Sequence, residues 1–212
     1  MLRGGHRLKA QPGRRFNLLS HLIMVAPAMA GSIWLLMLSD RPIEYVATSI
    51  YGLMLIQLFV ASSLHHGLSH RTEHNRWQKL DHISIYLMIA GSYTPFCLLA
   101  LQGAWGWSLL GIIWGLAAVG LLLDALHREG DERHKQLLLY LAMGWLILIA
   151  IRPLNHALSH GEMIWLVTGG LLYSAGVFFF VQDERWPWAH GAWHMFVIAG
   201  AASHYIAISM LL

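Results

Sequence analysis

Charged side chains are scarce in this sequence. They make up 12% of its 212 residues, whereas an average soluble domain carries about 25%. Hydrophobic residues account for 57% of the chain, and its mean hydropathy is +0.52. These values exclude a soluble globular domain, a disordered chain, a collagen and a coiled coil. The composition therefore predicts an integral membrane protein.

Cysteine is almost absent, because Cys97 is the only one in the chain. A single thiol excludes an internal disulfide and a cysteine-rich zinc site. Any bound metal must therefore be held by histidine or carboxylate. Histidine is correspondingly frequent, with 14 residues.

The basic residues do not form one extended patch. The isoelectric point of about 9.2 is compatible with nucleic-acid binding, but Lys and Arg lie in short clusters between apolar runs. Such clusters are typical of the orientation signals of membrane proteins. We therefore expect a lipid bilayer as the partner of this chain, and no nucleic acid.

Seven apolar runs are long enough to cross about 30 Å of hydrocarbon as helices. The expected spans are residues 17–38, 44–66, 82–102, 105–126, 136–152, 162–182 and 189–211. No internal repeat or low-complexity linker separates them. Residues 1–212 are therefore predicted to form one domain, an all-α bundle of seven transmembrane helices.

The distribution of Lys and Arg predicts how the bundle is oriented. Twelve of the fourteen precede span 1 or lie between spans 2 and 3, 4 and 5, or 6 and 7; only Arg41 and Arg152 lie elsewhere. Basic residues in short loops are retained on the cytoplasmic side. The N-terminus is therefore predicted to be cytoplasmic and the C-terminus to lie outside.

This topology places polar residues from four spans at one membrane depth, near the cytoplasmic leaflet. They are His21 in span 1, Ser62, His65 and His66 in span 2, Asp81 and His82 at span 3, and His190 and His194 in span 7. Ionisable groups are costly in hydrocarbon. A carboxylate and several imidazoles at one depth therefore indicate a functional site.

Each of these residues also has a purely structural interpretation. His190 and His194 present two imidazoles on one helix face, which suits zinc, but 14 histidines produce this spacing by chance as well. An Asp at the start of a helix, as Asp81 is predicted to be, often only caps it. Spacing alone does not choose between His65 and His66.

Three stretches of the sequence resemble the signature of the bacterial hemolysin III family. They are Ser62-Ser63-Leu64-His65-His66, the run from Lys79 to Phe96, and His190-Gly191-Ala192-Trp193-His194. The resemblance covers nearly the whole chain in order and helix number. This family belongs to the wider superfamily of progestin and adiponectin receptors and is distantly similar to the alkaline ceramidases.

The resemblance implies a particular set of site residues. Zinc (Zn2+) is expected at His66, His190 and His194, with Asp81 reaching it through water and Ser62 beside them. Asn17 and His21 resemble the family's first-helix pattern, but Arg14-Arg15-Phe16 stand where an acidic residue is expected. His21 is therefore given no ligand role. The expected location is the bacterial cytoplasmic (inner) membrane.

Three neutral imidazoles and a water make a tetrahedral zinc site with one open position, as in catalytic sites. Zinc makes its bound water acidic enough to ionise near neutral pH. Asp81 is expected to move the proton, and Ser62 to orient Asp81, the water or a developing oxyanion. The leading hypothesis is a zinc-dependent intramembrane hydrolase of a lipid amide or ester.

Two other functions stay open. One is a non-catalytic sensor or regulator of membrane state, in which structural zinc ties spans 2, 3 and 7 together. The other is a pore or channel, as the family name implies. The sequence does not identify the lipid, the oligomeric state or the roles of His21, His65 and His82.

Overall fold

The computed structural model describes residues 13–68, 74–126 and 133–212, and all regular elements in these ranges are helical. They are α1 Arg14–Leu38, α2 Pro42–Leu68, α3 His74–Pro95, α4 Gly103–Leu126, α5 Arg133–Trp145, α6 Ile151–Ala157, α7 His160–Val181 and α8 Ala189–Ser209. A π-helical segment, Phe96–Leu101, extends α3, and a 3-10 segment, Leu146–Ala150, joins α5 to α6. The predicted all-α architecture is confirmed. Many of the basic residues behind the predicted orientation lie in 1–12, 69–73 and 127–132, outside the described residues.

Six stretches are long and apolar enough to cross a membrane. They are Arg14–Leu38, Pro42–Leu68, Arg76–Leu101, Gly103–Leu126, Gln136–Ala157 and His160–Val181. The seventh predicted span forms α8, whose 21 residues are about 30 Å long at 1.5 Å per residue. Its three histidines, His190, His194 and His204, add polar groups to an otherwise apolar helix. The fold is a helical membrane bundle.

The outside of the bundle is apolar. Met37 and Leu126 are each 70% exposed, and exposed apolar area costs about 25 cal/mol per Å² in water. Polar side chains, in contrast, are buried within the bundle, among them His66 and His194. This distribution suits a protein whose surroundings are lipid.

The fifth predicted span is interrupted and longer than predicted. It was expected to end at residue 152, but the chain turns as a 3-10 segment after Trp145 and continues as a helix to Ala157. The Tyr93 hydroxyl donates to the Met143 carbonyl at 2.7 Å and accepts from the Ile147 N–H at 2.9 Å. A side chain of α3 thus satisfies backbone groups at the interruption, as hydrocarbon surroundings require.

Helices α7 and α8 make the most extensive helix–helix contact among the described residues. The His204 imidazole lies against the backbone of Gly169, and its Nε2 donates to the Leu166 carbonyl at 3.2 Å. The next glycine, Gly170, has open space where a side chain would begin. Gly169 therefore allows α8, which carries His190 and His194, to approach α7 closely.

We expect Gly169→Ala to lower the free energy of unfolding by about 1–3 kcal/mol, because its methyl group would overlap the His204 ring. Gly170→Ala is the matched control. It is expected to be neutral or slightly stabilising, since alanine is the better helix former and meets no neighbour. Thermal unfolding in detergent measures both, and equal midpoints for the two variants would contradict this packing.

Candidate metal centre

Three imidazoles from two helices converge where α2 ends and α8 begins. His66 lies in the last turn of α2, and His190 and His194 lie in the first two turns of α8. One possible ligand atom of each lies within 4.8 Å of the other two. Their ring centroids form a nearly equilateral triangle with sides of 4.9, 4.9 and 5.1 Å.

The local sequence explains this arrangement. His190 and His194 are four residues apart and therefore share one face of α8. His66 and His194 are each only 2% exposed, while His190 is partly exposed. Arg14 of α1 donates to the His66 and Gly67 carbonyls at 3.0 Å, and so caps the end of α2. The cap fixes the backbone that carries His66.

The spacing of the nitrogens fits a shared ion. His66 Nε2 and His190 Nε2 are 3.3 Å apart. Two nitrogens bound to one tetrahedral zinc at about 2.05 Å lie about 3.3 Å from each other. A hydrogen bond between the two rings accounts for the same distance without an ion. The donor set is compatible with zinc in either case.

Asp81 and Ser62 lie beside His66. Ser62 is one turn before His66 in α2, and its hydroxyl forms a hydrogen bond with the Asp81 side chain. Asp81 is the eighth residue of α3, which begins at His74 and not near residue 82 as predicted. The alternative role of Asp81 as a helix cap is therefore wrong.

A second possible ligand group shares His66 with the first. It consists of His65, His66 and Asp81, whose ligand atoms also lie within 4.8 Å of one another. Two imidazoles and a carboxylate suit zinc as well as three imidazoles do. The structure therefore brings four of the predicted site residues, His66, Asp81, His190 and His194, together in two overlapping groups. The fifth, Ser62, adjoins them through its hydrogen bond to Asp81.

Two partners of the α8 histidines were not predicted from the sequence. Ser20 Oγ lies 2.9 Å from His194 Nδ1, and Asp183 Oδ2 lies 3.1 Å from His190 Nδ1. Asp183 is seven residues before His190 in the short connection that precedes α8, so its position was a usable signal. Ser20 is 174 residues from His194, and no spacing pattern connects them.

His21 lies against the centre without joining either ligand group. Its ring stacks on that of His194, with centroids 3.9 Å apart and planes at 17°, and packs edge-on against Phe59. It is 3% exposed, and neither ring nitrogen has a hydrogen-bond partner among the described residues. Helix α1 thus contributes both a hydrogen bond and a stacked ring to the surroundings of His194.

Comparisons with known proteins cover almost the whole chain. Residues 13–205 match the family model described as haemolysin-III related. The chain is 40% identical over 163 residues to Hemolysin-3 of Bacillus cereus, covering 77% of this chain and 74% of that protein. It is 33% identical over 186 residues to the Hemolysin-3 homolog of Bacillus subtilis, covering 88% and 82%. It is 35% identical over 197 residues to the human Monocyte to macrophage differentiation factor, covering 91% and 81%.

Proposed function

Because this chain belongs to the haemolysin-III related family of membrane proteins, within the progestin and adiponectin receptor superfamily, we propose that it is a zinc-dependent hydrolase of a lipid amide or ester. The observation that carries the proposal is the convergence of three imidazoles beside a half-buried carboxyl group that is hydrogen-bonded to a serine. In this proposal His66, His190 and His194 hold the metal, and Asp81 and Ser62 act on the substrate and water.

The chemistry of the donors supports zinc at this centre. Three neutral imidazoles leave one position of a tetrahedral ion open, as catalytic sites require. A bound zinc ion would supply a Lewis acid and a water that ionises near neutral pH. An ionised Asp81 adds one negative charge next to His66, which favours a divalent cation in surroundings of low dielectric constant.

Asp81 is proposed to transfer the proton. Its carboxylate accepts a proton from the attacking water and returns it to the leaving nitrogen or oxygen of the lipid, as a general base and then a general acid. The Ser62 hydroxyl donates a hydrogen bond to this carboxylate and thereby fixes its orientation. Asp81 is the only carboxylate in the two ligand groups among the described residues.

The surroundings of the centre favour a lipid as the substrate. The site lies at one end of a bundle whose outer surface is apolar, and in this proposal the acyl chain of the lipid approaches it from the bilayer. We propose that α8 forms the seventh span, with the N-terminus cytoplasmic and the C-terminus outside. The centre then lies near the cytoplasmic leaflet of the bacterial cytoplasmic membrane.

A regulator of membrane state is the second candidate. The almost complete burial of His66 and His194 favours it, because a closed site suits structural zinc that ties α2 to α8. A pore finds less support. Each of the six membrane-spanning stretches contains an 18-residue window with at most two Asp, Glu, Lys or Arg residues, which leaves few charges to line a hydrated path.

Hydrolysis that depends on zinc tests the proposal. We expect the protein, reconstituted in bacterial-lipid vesicles containing a fluorescent ceramide and a fluorescent phospholipid, to cleave one of them. Removal of zinc by a chelator should lower the rate at least about 1,000-fold, because the metal contributes several kcal/mol to transition-state stabilisation. Added zinc should restore the rate. Zinc-loaded protein that cleaves neither probe, nor any lipid of the vesicles, contradicts the proposal and favours the regulator.

A further inference from the structure

The two histidines of α8 use their ring nitrogens in the same way. Each has its Nδ1 next to an oxygen from another part of the chain, at 3.1 Å for His190 and Asp183 and at 2.9 Å for His194 and Ser20. The Nε2 atom of His190 faces His66 instead. In both rings Nδ1 is therefore occupied by a neighbour of the centre, which leaves Nε2 as the nitrogen available to an ion.

The chemistry of the two partners favours the Nδ1 position for each ring proton. An ionised carboxylate only accepts hydrogen bonds, so His190 Nδ1 is the donor to Asp183. The Ser20 hydroxyl also lies 3.0 Å from the Asn17 carbonyl; when it donates its hydrogen bond there, Ser20 Oγ is the acceptor for His194 Nδ1. A neutral imidazole that carries its proton on Nδ1 has a free lone pair on Nε2.

The two partners come from unrelated parts of the chain. Asp183 lies in the connection between α7 and α8, and its side chain is 14% exposed. Ser20 lies in the second turn of α1. Asp183 is close to its histidine in the sequence, and Ser20 is far from its own. Both nevertheless place an oxygen atom next to the Nδ1 atom of an α8 histidine.

We propose that Asp183 and Ser20 are positioning residues of the metal centre. Each keeps the proton of one α8 histidine on Nδ1 and fixes the orientation of its ring. Both Nε2 lone pairs then point toward the same ion. Such partners of metal-binding histidines fix the tautomer and raise the basicity of the ring. The inference rests on the proposed zinc site and assigns to it two residues outside the ligand set.

The test measures the zinc affinity of the full-length protein in detergent, by competition with a chelating dye. Asp183→Ala and Ser20→Ala remove the two acceptors, and Asp183→Glu and Ser20→Thr return them. Glu184 directly follows Asp183 in the chain. Glu184→Ala therefore controls for the loss of one negative charge in this connection. Ser63→Ala controls for a lost helix hydroxyl, because Ser63 is buried near the site but donates to the Phe59 carbonyl. Thermal midpoints of the metal-free variants are recorded alongside.

We expect Asp183→Ala and Ser20→Ala each to weaken zinc binding about 10- to 100-fold. The two controls should keep the wild-type affinity, and the metal-free midpoints should stay unchanged. The conservative variants Asp183→Glu and Ser20→Thr should restore binding.

Wild-type affinity in both alanine variants overturns the inference and leaves the hydrolase proposal intact. The inference is also overturned if the alanine variants bind zinc more weakly, unfold at a lower temperature without metal, and are not rescued by the conservative variants. A wild-type protein that binds no zinc overturns the proposed function itself.

Discussion

Replacing Asp81 with asparagine is expected to slow lipid hydrolysis about 100- to 10,000-fold while zinc stays bound. The amide has nearly the same size as the carboxylate, and its oxygen can still accept from the Ser62 hydroxyl. It cannot take a proton from the attacking water, and general acid–base catalysis is worth about 100- to 10,000-fold. The hydrolysis rate should therefore fall by that factor. Zinc content, measured by mass spectrometry on the same preparation, should remain that of the wild type.

Asp124→Asn is the matched control for this substitution. Asp124 is another carboxylate within the bundle, 6% exposed, but it lies on α4 and accepts a hydrogen bond from Gln136. We expect this variant to keep both its hydrolysis rate and its zinc. An undiminished rate in Asp81→Asn removes Asp81 from the chemistry, and loss of zinc from that variant makes Asp81 a ligand instead.

The second large effect is expected from His194→Ala compared with His65→Ala. His66 belongs to both possible ligand groups, but His194 belongs only to the first and His65 only to the second. Zinc sites bind with about 10–16 kcal/mol in peptides with four ligands, so one imidazole is worth several kcal/mol. His194→Ala should therefore lose at least about 100-fold in zinc affinity, and His65→Ala should lose little.

Competition with a chelator of known affinity measures this difference. Thermal unfolding of the metal-free proteins serves as the control, because His194 is buried and its loss leaves a cavity. The reverse order of affinities, with His65→Ala the weaker binder, would place the metal among His65, His66 and Asp81. Such a result would contradict the proposed open coordination by three histidines.

Much of the fold could be predicted from hydropathy, because a helix that crosses hydrocarbon needs about 20 predominantly apolar residues. The start of α3 could not. The residues from His74 to Leu80 are mostly polar, and they extend the helix beyond the apolar run that the pattern detects. The interruption after Trp145 was also missed, because it depends on the Tyr93 hydroxyl of another helix.

The site could be predicted in its composition but not in its detail. The topology placed Ser62, His66, Asp81, His190 and His194 at one depth, and the structure brings these five side chains together. Depth says nothing about how each helix is rotated about its axis, and that rotation decides that Ser20 contacts His194. Asp183, in contrast, lies only seven residues before His190, so its place in the sequence already put it near the site.

The most direct measurement is the zinc content of the purified wild-type protein beside that of the double variant His190→Ala, His194→Ala. Both proteins are prepared in buffers of defined metal content and analysed by mass spectrometry. We expect about one zinc per chain in the wild type, from the donor set of three imidazoles, and almost none in the double variant. A wild-type protein without zinc, or equal zinc in the two preparations, would contradict a metal centre at these histidines.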